Sequence, residues 1–178
     1  MKKILVFLLA LTLSLSSFAQ DPKLTEMVEI AQVEADNGNV QLDVFSIPID
    51  GQKTYYLSVG TMGIGTEIVQ IDVDPITRLF IPLGNTLEEA MESLDKLKEM
   101  AKSEPGTTTE IDACFAPLIP NSNLEKVKVV SRKLLLSRSL EFCIEKEGYV
   151  RATYIPRSDL GAIASSVKFY KKIHPKEK

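Results

Sequence analysis

Twice along this chain an Ile-Pro pair closes a run of apolar residues and opens onto an amphipathic helical stripe. The first pair, Ile81-Pro82, stands ahead of Leu87, Met91, Leu94 and Leu97. The second, Ile155-Pro156, stands ahead of Leu160, Ile163, Ala164, Val167 and Tyr170. Alternation at period two buries one face of a strand, and spacings of three and four bury one face of a helix. A chain that passes from one pattern to the other twice, in the same order, has few folds open to it. The expectation is α+β: a mostly antiparallel sheet, or two related sheets, with two amphipathic helices packed on one side. The repeated order suggests a duplicated strands-then-helix unit, although residue identity between the halves is slight.

The segment from Asp21 to Asp36 fits two readings. Asp21-Pro22 resembles a helix start, whereas Val28 and Ile30 alternate with Glu29 ahead of Asp36-Asn37-Gly38-Asn39, a strong hairpin signal. A strand from Met27 to Glu34 is preferred. Further strands are expected from Val40 up to the turn at Pro48-Ile49-Asp50-Gly51, with Gln41 and Asp43 outward, and at Thr54–Val59, Glu67–Val73 and Arg78–Ile81. Thr86 followed by Glu89 is a capping box for the first helix, and Ser103-Glu104-Pro105-Gly106 ends it. In the second half, strands are read at Thr108–Phe115 and at Val127–Leu136, the latter with a bulge near Ser131. A hairpin of Leu140–Ile144 and Tyr149–Ile155 then leads to Ser158 or Asp159 as the cap of the last helix.

Residues 1–19 have the layout of a secretory signal peptide. Lys2 and Lys3 form the basic region, Ile4 to Leu13 the apolar one, and Ser17-Phe18-Ala19 the small-x-small cleavage site. The apolar run is about half the ~20 residues that span a bilayer, and no cysteine adjoins the cut to carry lipid. The expectation is cleavage after Ala19 and a periplasmic or secreted product without a stable membrane anchor, with residues 20–178 forming a single domain. Loss of the two lysines takes the net charge from −3 to −5. That balance argues against nucleic acid as a partner. Cys114 and Cys143, the only cysteines, are disulfide candidates in such a compartment, and closing that loop would add ~3–4 kcal/mol of stability.

Candidate sites are sparse. Gly60-Thr61-Met62-Gly63-Ile64-Gly65-Thr66 is glycine-rich, yet a strand rather than a helix is expected after it and no Lys-Ser or Lys-Thr follows, so it does not read as a phosphate cradle. It reads as a loop able to bind a ligand, with Tyr55 and Tyr56 nearby, and the candidate binding residues are Tyr55, Tyr56, Gly60, Thr61, Gly63 and Gly65. His174 is the single histidine and sits in a basic tail, so neither a nucleophile–histidine pair nor a zinc site is expected, and no cofactor is implied. The carboxylate pairs Asp72 with Asp74 and Glu141 with Glu145 have the residue types of a hydrolase, but acids at period two ordinarily form the wet side of a sheet. Lys126, Lys128, Arg132, Lys133 and Arg138 form a basic run, read as an outward row guarding a strand or as a patch for an acidic partner. The functional expectation is an exported, non-catalytic binding or structural protein of the bacterial envelope, its protein or small-molecule partner unknown. A carboxylate hydrolase and a periplasmic inhibitor or immunity protein are the alternatives.

Overall fold

The computed structural model describes residues 27–34, 41–49, 51–60, 78–114, 124–134, 137–146 and 149–175. The first unit is a meander of β1 (Val28–Glu34), β2 (Gln41–Ile49), β3 (Gln52–Gly60) and β4 (Arg78–Gly84), followed by helix α1 (Leu87–Met100). The second repeats the plan with β5 (Thr108–Ala113), β6 (Glu125–Leu134), β7 (Ser137–Lys146) and β8 (Tyr149–Pro156), followed by α2 (Arg157–Ile173). Each sheet keeps its strands in chain order, and all pairs are antiparallel. One isolated bridge joins them. Phe80 and Cys114 exchange backbone hydrogen bonds of 2.7 and 2.8 Å, linking β4 to the end of β5. The signal-peptide segment, the Asn37-Gly38 turn and the strand expected at Glu67–Val73 lie outside the described residues.

One hydrophobic core unites both sheets and both helices. Leu57 and Ile81 of the first sheet, Phe142 and Ile155 of the second, Leu94 of α1 and Ile163 of α2 all belong to it. The helices pack on each other, and α2 also covers β1 and β2, so the second unit's helix roofs the first unit's sheet. Burial of this kind supplies most of the stabilisation, at about 25 cal/mol per Å² of apolar surface.

The first sheet is buried on its other face as well. Phe45, Ile47, Tyr56 and Cys114 form a second cluster there, with Ile49 and Phe80 packed against it. Asp43, expected outward, is therefore buried, and in the register it faces Ser58, which is also buried. Alternation in β2 marks two different interiors rather than an interior and a surface.

The capping box at Thr86 forms with a variation. The Thr86 hydroxyl accepts from the Glu89 N–H at 3.2 Å, while the Glu89 carboxylate accepts from the Asn85 N–H at 2.6 Å, one residue before the cap. Gly84 makes room for it. Its φ is +127°, and a Cβ there would lie 2.5 Å from the Glu89 Cβ.

Two local expectations are corrected. The last helix starts at Arg157 with Pro156 at the cap position and no side-chain cap bond, because Pro156 still belongs to β8 opposite Ser139 and the chain turns directly into the helix. Ser158 donates to the Asp159 carboxylate at 3.2 Å instead of capping the backbone. The bulge expected near Ser131 is absent, since β6 pairs with β5 and β7 without a shift; bulges fall at Glu29/Ala31 and Tyr55/Tyr56. Ser131 instead holds the turn after α1. Its N–H donates to Thr107, its carbonyl accepts from Gly106, and its hydroxyl donates to the Ser103 carbonyl at 3.0 Å.

Candidate functional site

The outward face of the second sheet carries the most connected titratable cluster among the described residues. Strand register brings Arg132 of β6, Glu141 of β7 and Tyr154 of β8 onto one face, with Glu141 directly opposite Tyr154. Arg132 Nε and the Tyr154 hydroxyl each donate to the Glu141 carboxylate at 2.6 Å. Glu141 is 6% exposed. Burial pushes its carboxyl up, but hydrogen bonds from Tyr154, Arg132 and Cys143 and the Arg132 charge outweigh burial and hold it below the usual carboxylate range. Tyr154 is raised, because it donates to that carboxylate, is partly buried and feels its charge. The chemistry follows from these directions. A general acid needs a raised carboxyl and a general base a free lone pair, whereas Glu141 is ionised with both oxygens occupied. The cluster braces three strands.

Two more residues of the basic run are tied in the same way. Lys126 pairs with Asp112 at 2.6 Å, and the Arg138 guanidinium donates to the Ser103 carbonyl at 2.9 Å, fastening the end of α1 to the sheet. Lys126 and Lys128 are exposed while Val127 and Val129 are buried. His174 closes α2 from outside the core: its Nδ1 lies 3.1 Å from the Tyr170 carbonyl and its ring stacks on Tyr170 at 4.1 Å.

The other sequence candidates are dispersed. Tyr55 is fully buried in the main core and Tyr56 lies in the second cluster, on opposite faces of β3, so neither ring forms a surface platform. Gly60 ends β3, buried, and its carbonyl accepts from Thr153 of β8 at 3.4 Å. Thr61, Gly63, Gly65, Asp72 and Asp74 lie outside the described residues. The disulfide is corrected: Cys114 and Cys143 are not bonded to each other. Cys143 is paired with Lys128, whereas Cys114 continues β5 beyond the Ala113–Glu125 pair. That separation is two strands across and about four residues along, roughly 16 Å, against the ~7 Å limit between bridged Cα atoms.

The sequence reading did not single out a further surface, on the first sheet. β1 is the outer strand of the first sheet, and α2 lies over it. Ile30, Ser165, Ser166, Phe169, Tyr170 and Ile173 line an open groove of about 400 Å³ between them. Phe169 is 62% exposed, Ile173 55% and Val28 48%, and Met27 is exposed beside them. Phe169 and Ile173 are one helical turn apart, on the same flank of α2. Every exposed large apolar side chain among the described residues except Leu124 lies on these two elements or beside them. A larger, more open depression of about 680 Å³ along α1 is lined mostly by charged residues, Glu92, Asp95, Lys96 and Glu99, with Met100 and Ser103.

Fold and site together define an α+β domain of two four-stranded meanders, with a braced ionic cluster on one sheet and apolar side chains gathered at the edge of the other. No family model, no curated protein and no solved structure matches the chain.

Proposed function

We propose that this chain is an exported protein of the bacterial envelope that acts by contact rather than by catalysis. The observation that carries the reading is the exposure of Phe169 and Ile173 on the groove at the edge of the first sheet, with Met27 and Val28 also exposed at the start of β1. Apolar groups concentrated at one place on an otherwise charged surface mark an interaction site. The state of Glu141 supports the same reading, because a carboxylate held ionised by two donors is suited to bracing a sheet and poorly suited to proton transfer. Export rests on Lys2, Lys3, the Ile4–Leu13 run and the Ser17-Phe18-Ala19 site.

Expression of the full chain in a bacterium tests both parts. Export predicts recovery outside the cytoplasm with a mature mass beginning at Gln20; cytoplasmic recovery with Met1 to Ala19 intact would overturn it. Photo-crosslinking from position 169 should trap a defined partner, while crosslinking from exposed Glu104 should not. Equal trapping from both positions, or from neither, would overturn the contact site.

A further inference from the structure

Three features of the β1 edge bear on what the groove takes. First, β1 has no strand on its outer side among the described residues, and it contains neither of the residues, lysine and proline, that usually blunt such an edge. The bulge at Glu29/Ala31 occupies one end and leaves regular pairing with β2 from Ala31 onward. Second, the helix flank above that edge is apolar and exposed at Phe169 and Ile173, with Ile30 at the base of the groove. Third, β1 carries two acids, Glu29 and Glu34, and no base; Glu29 and Gln32 are exposed, and in the register Glu29 faces Phe45, away from the core side that α2 covers.

These features describe the complement of one kind of segment. A strand added beside β1 places alternate side chains on opposite faces. Those on the helix side meet Phe169 and Ile173, and those on the far side come beside Glu29. A second copy of β1 does not fit, because self-pairing sets two acidic strands without a base against each other, and like charges on adjacent strands repel. Building on the contact reading above, we propose that the β1 edge accepts an extended segment of another protein that alternates aliphatic and basic residues.

The test uses fluorescein-labelled eight-residue peptides titrated with the protein by fluorescence polarisation. One alternates valine with lysine, one alternates valine with glutamate, and one has the valine–lysine composition in two blocks. The expected result is saturable binding of the alternating valine–lysine peptide alone. Phe169→Ser and Glu29→Lys should each weaken it about tenfold, the scale of losing one apolar anchor or one charge pair at an interface. Both positions are exposed, so the variants keep the fold, checked by unchanged circular dichroism. Glu99→Lys on α1 should leave binding unchanged; an equal loss there means that general attraction to an acidic protein accounts for the signal, and overturns the proposal. Binding that depends on Phe169 but prefers the glutamate peptide, the blocked peptide or a laurate micelle overturns the basic strand while keeping the contact site. Absence of any Phe169-dependent peptide binding overturns the basic strand, and if crosslinking from position 169 also traps nothing, the contact site falls with it.

Discussion

Glu141 sits where burial and pairing act on one side chain in opposite directions, and pairing wins. Glutamine at this position keeps the shape but not the charge: its oxygen can still accept from Arg132 and its amide can donate to the Tyr154 hydroxyl, so both bonds lose their charge assistance and Arg132 loses its counter-ion. Glu141→Gln is expected to cost roughly 1–3 kcal/mol at neutral pH. The folded-state pKa is lowered, so the ionised carboxylate's contribution is present above the ordinary glutamate value of ~4.3 and is lost as pH falls through the lower folded value. Urea midpoints of the wild type and Glu141→Gln should therefore stand apart at pH 7 and converge toward pH 3; a constant gap would show that the charge does not contribute. Gly84 gives a second test at this scale. Gly84→Ala forces an L residue to φ +127° and drives its Cβ into Glu89, whereas Gly51→Ala meets only its own φ of +80° with nothing within 4 Å. Backbone strain of ~1–3 kcal/mol applies to both, and the collision to Gly84 alone. Thermal unfolding should rank Gly84→Ala well below Gly51→Ala, and equal losses would remove the close approach from the account.

At the scale of elements, α1 depends on its first turn. Thr86 satisfies the Glu89 N–H and Glu89 satisfies the Asn85 N–H, so Thr86→Ala should cost about 1 kcal/mol and lower Tm by roughly 2–4 °C. Thr86→Ser should restore most of it; equal losses in both would mean that the hydroxyl is not the stabilising group. This helix was legible in the sequence because a cap and an apolar stripe are local signals; β1 and β2 were legible from alternation, β3 from its aromatic and β-branched residues, and β7 and β8 as apolar runs on either side of Glu145-Lys146-Glu147-Gly148. The start of α2 was not, because Pro156 reads as a helix signal until its pairing with Ser139 is known. The bulges escaped as well, since an extra residue is defined by what lies across from it, which one strand's pattern does not contain. The Glu141 cluster was partly within reach: the expected hairpin brings β7 beside β8, but the register that sets Tyr154 opposite Glu141 and Arg132 opposite Ser139 is fixed only by the strand pairing. Phe169 and Ile173 were within reach as well, since helical spacing sets both off the stripe of Leu160, Ile163, Ala164, Val167 and Tyr170 and so leaves them as apolar residues outside the core face.

For the whole molecule, repetition of the unit does not make the halves independent. Helix α2 packs on β1 and β2, the core runs through both sheets, and the Phe80–Cys114 bridge and the Ser131 and Arg138 bonds to Ser103 tie the halves along their seam. A fragment ending at Ser103 would keep four strands and α1 but lose the helix that covers its first two strands. Those strands would then expose the side of Leu42 and Val44, which are fully buried in the intact chain. Deprived of that apolar burial, a unit of this size has little margin over its conformational entropy. The intact protein is therefore expected to unfold in one cooperative transition, with coincident denaturation curves from circular dichroism and tyrosine fluorescence. The fragment should give no cooperative urea transition and should bind a hydrophobic dye such as ANS. A fragment that unfolds cooperatively without binding the dye would mean that each strands-then-helix unit is a domain in its own right, with α2 an accessory to the first sheet rather than its roof.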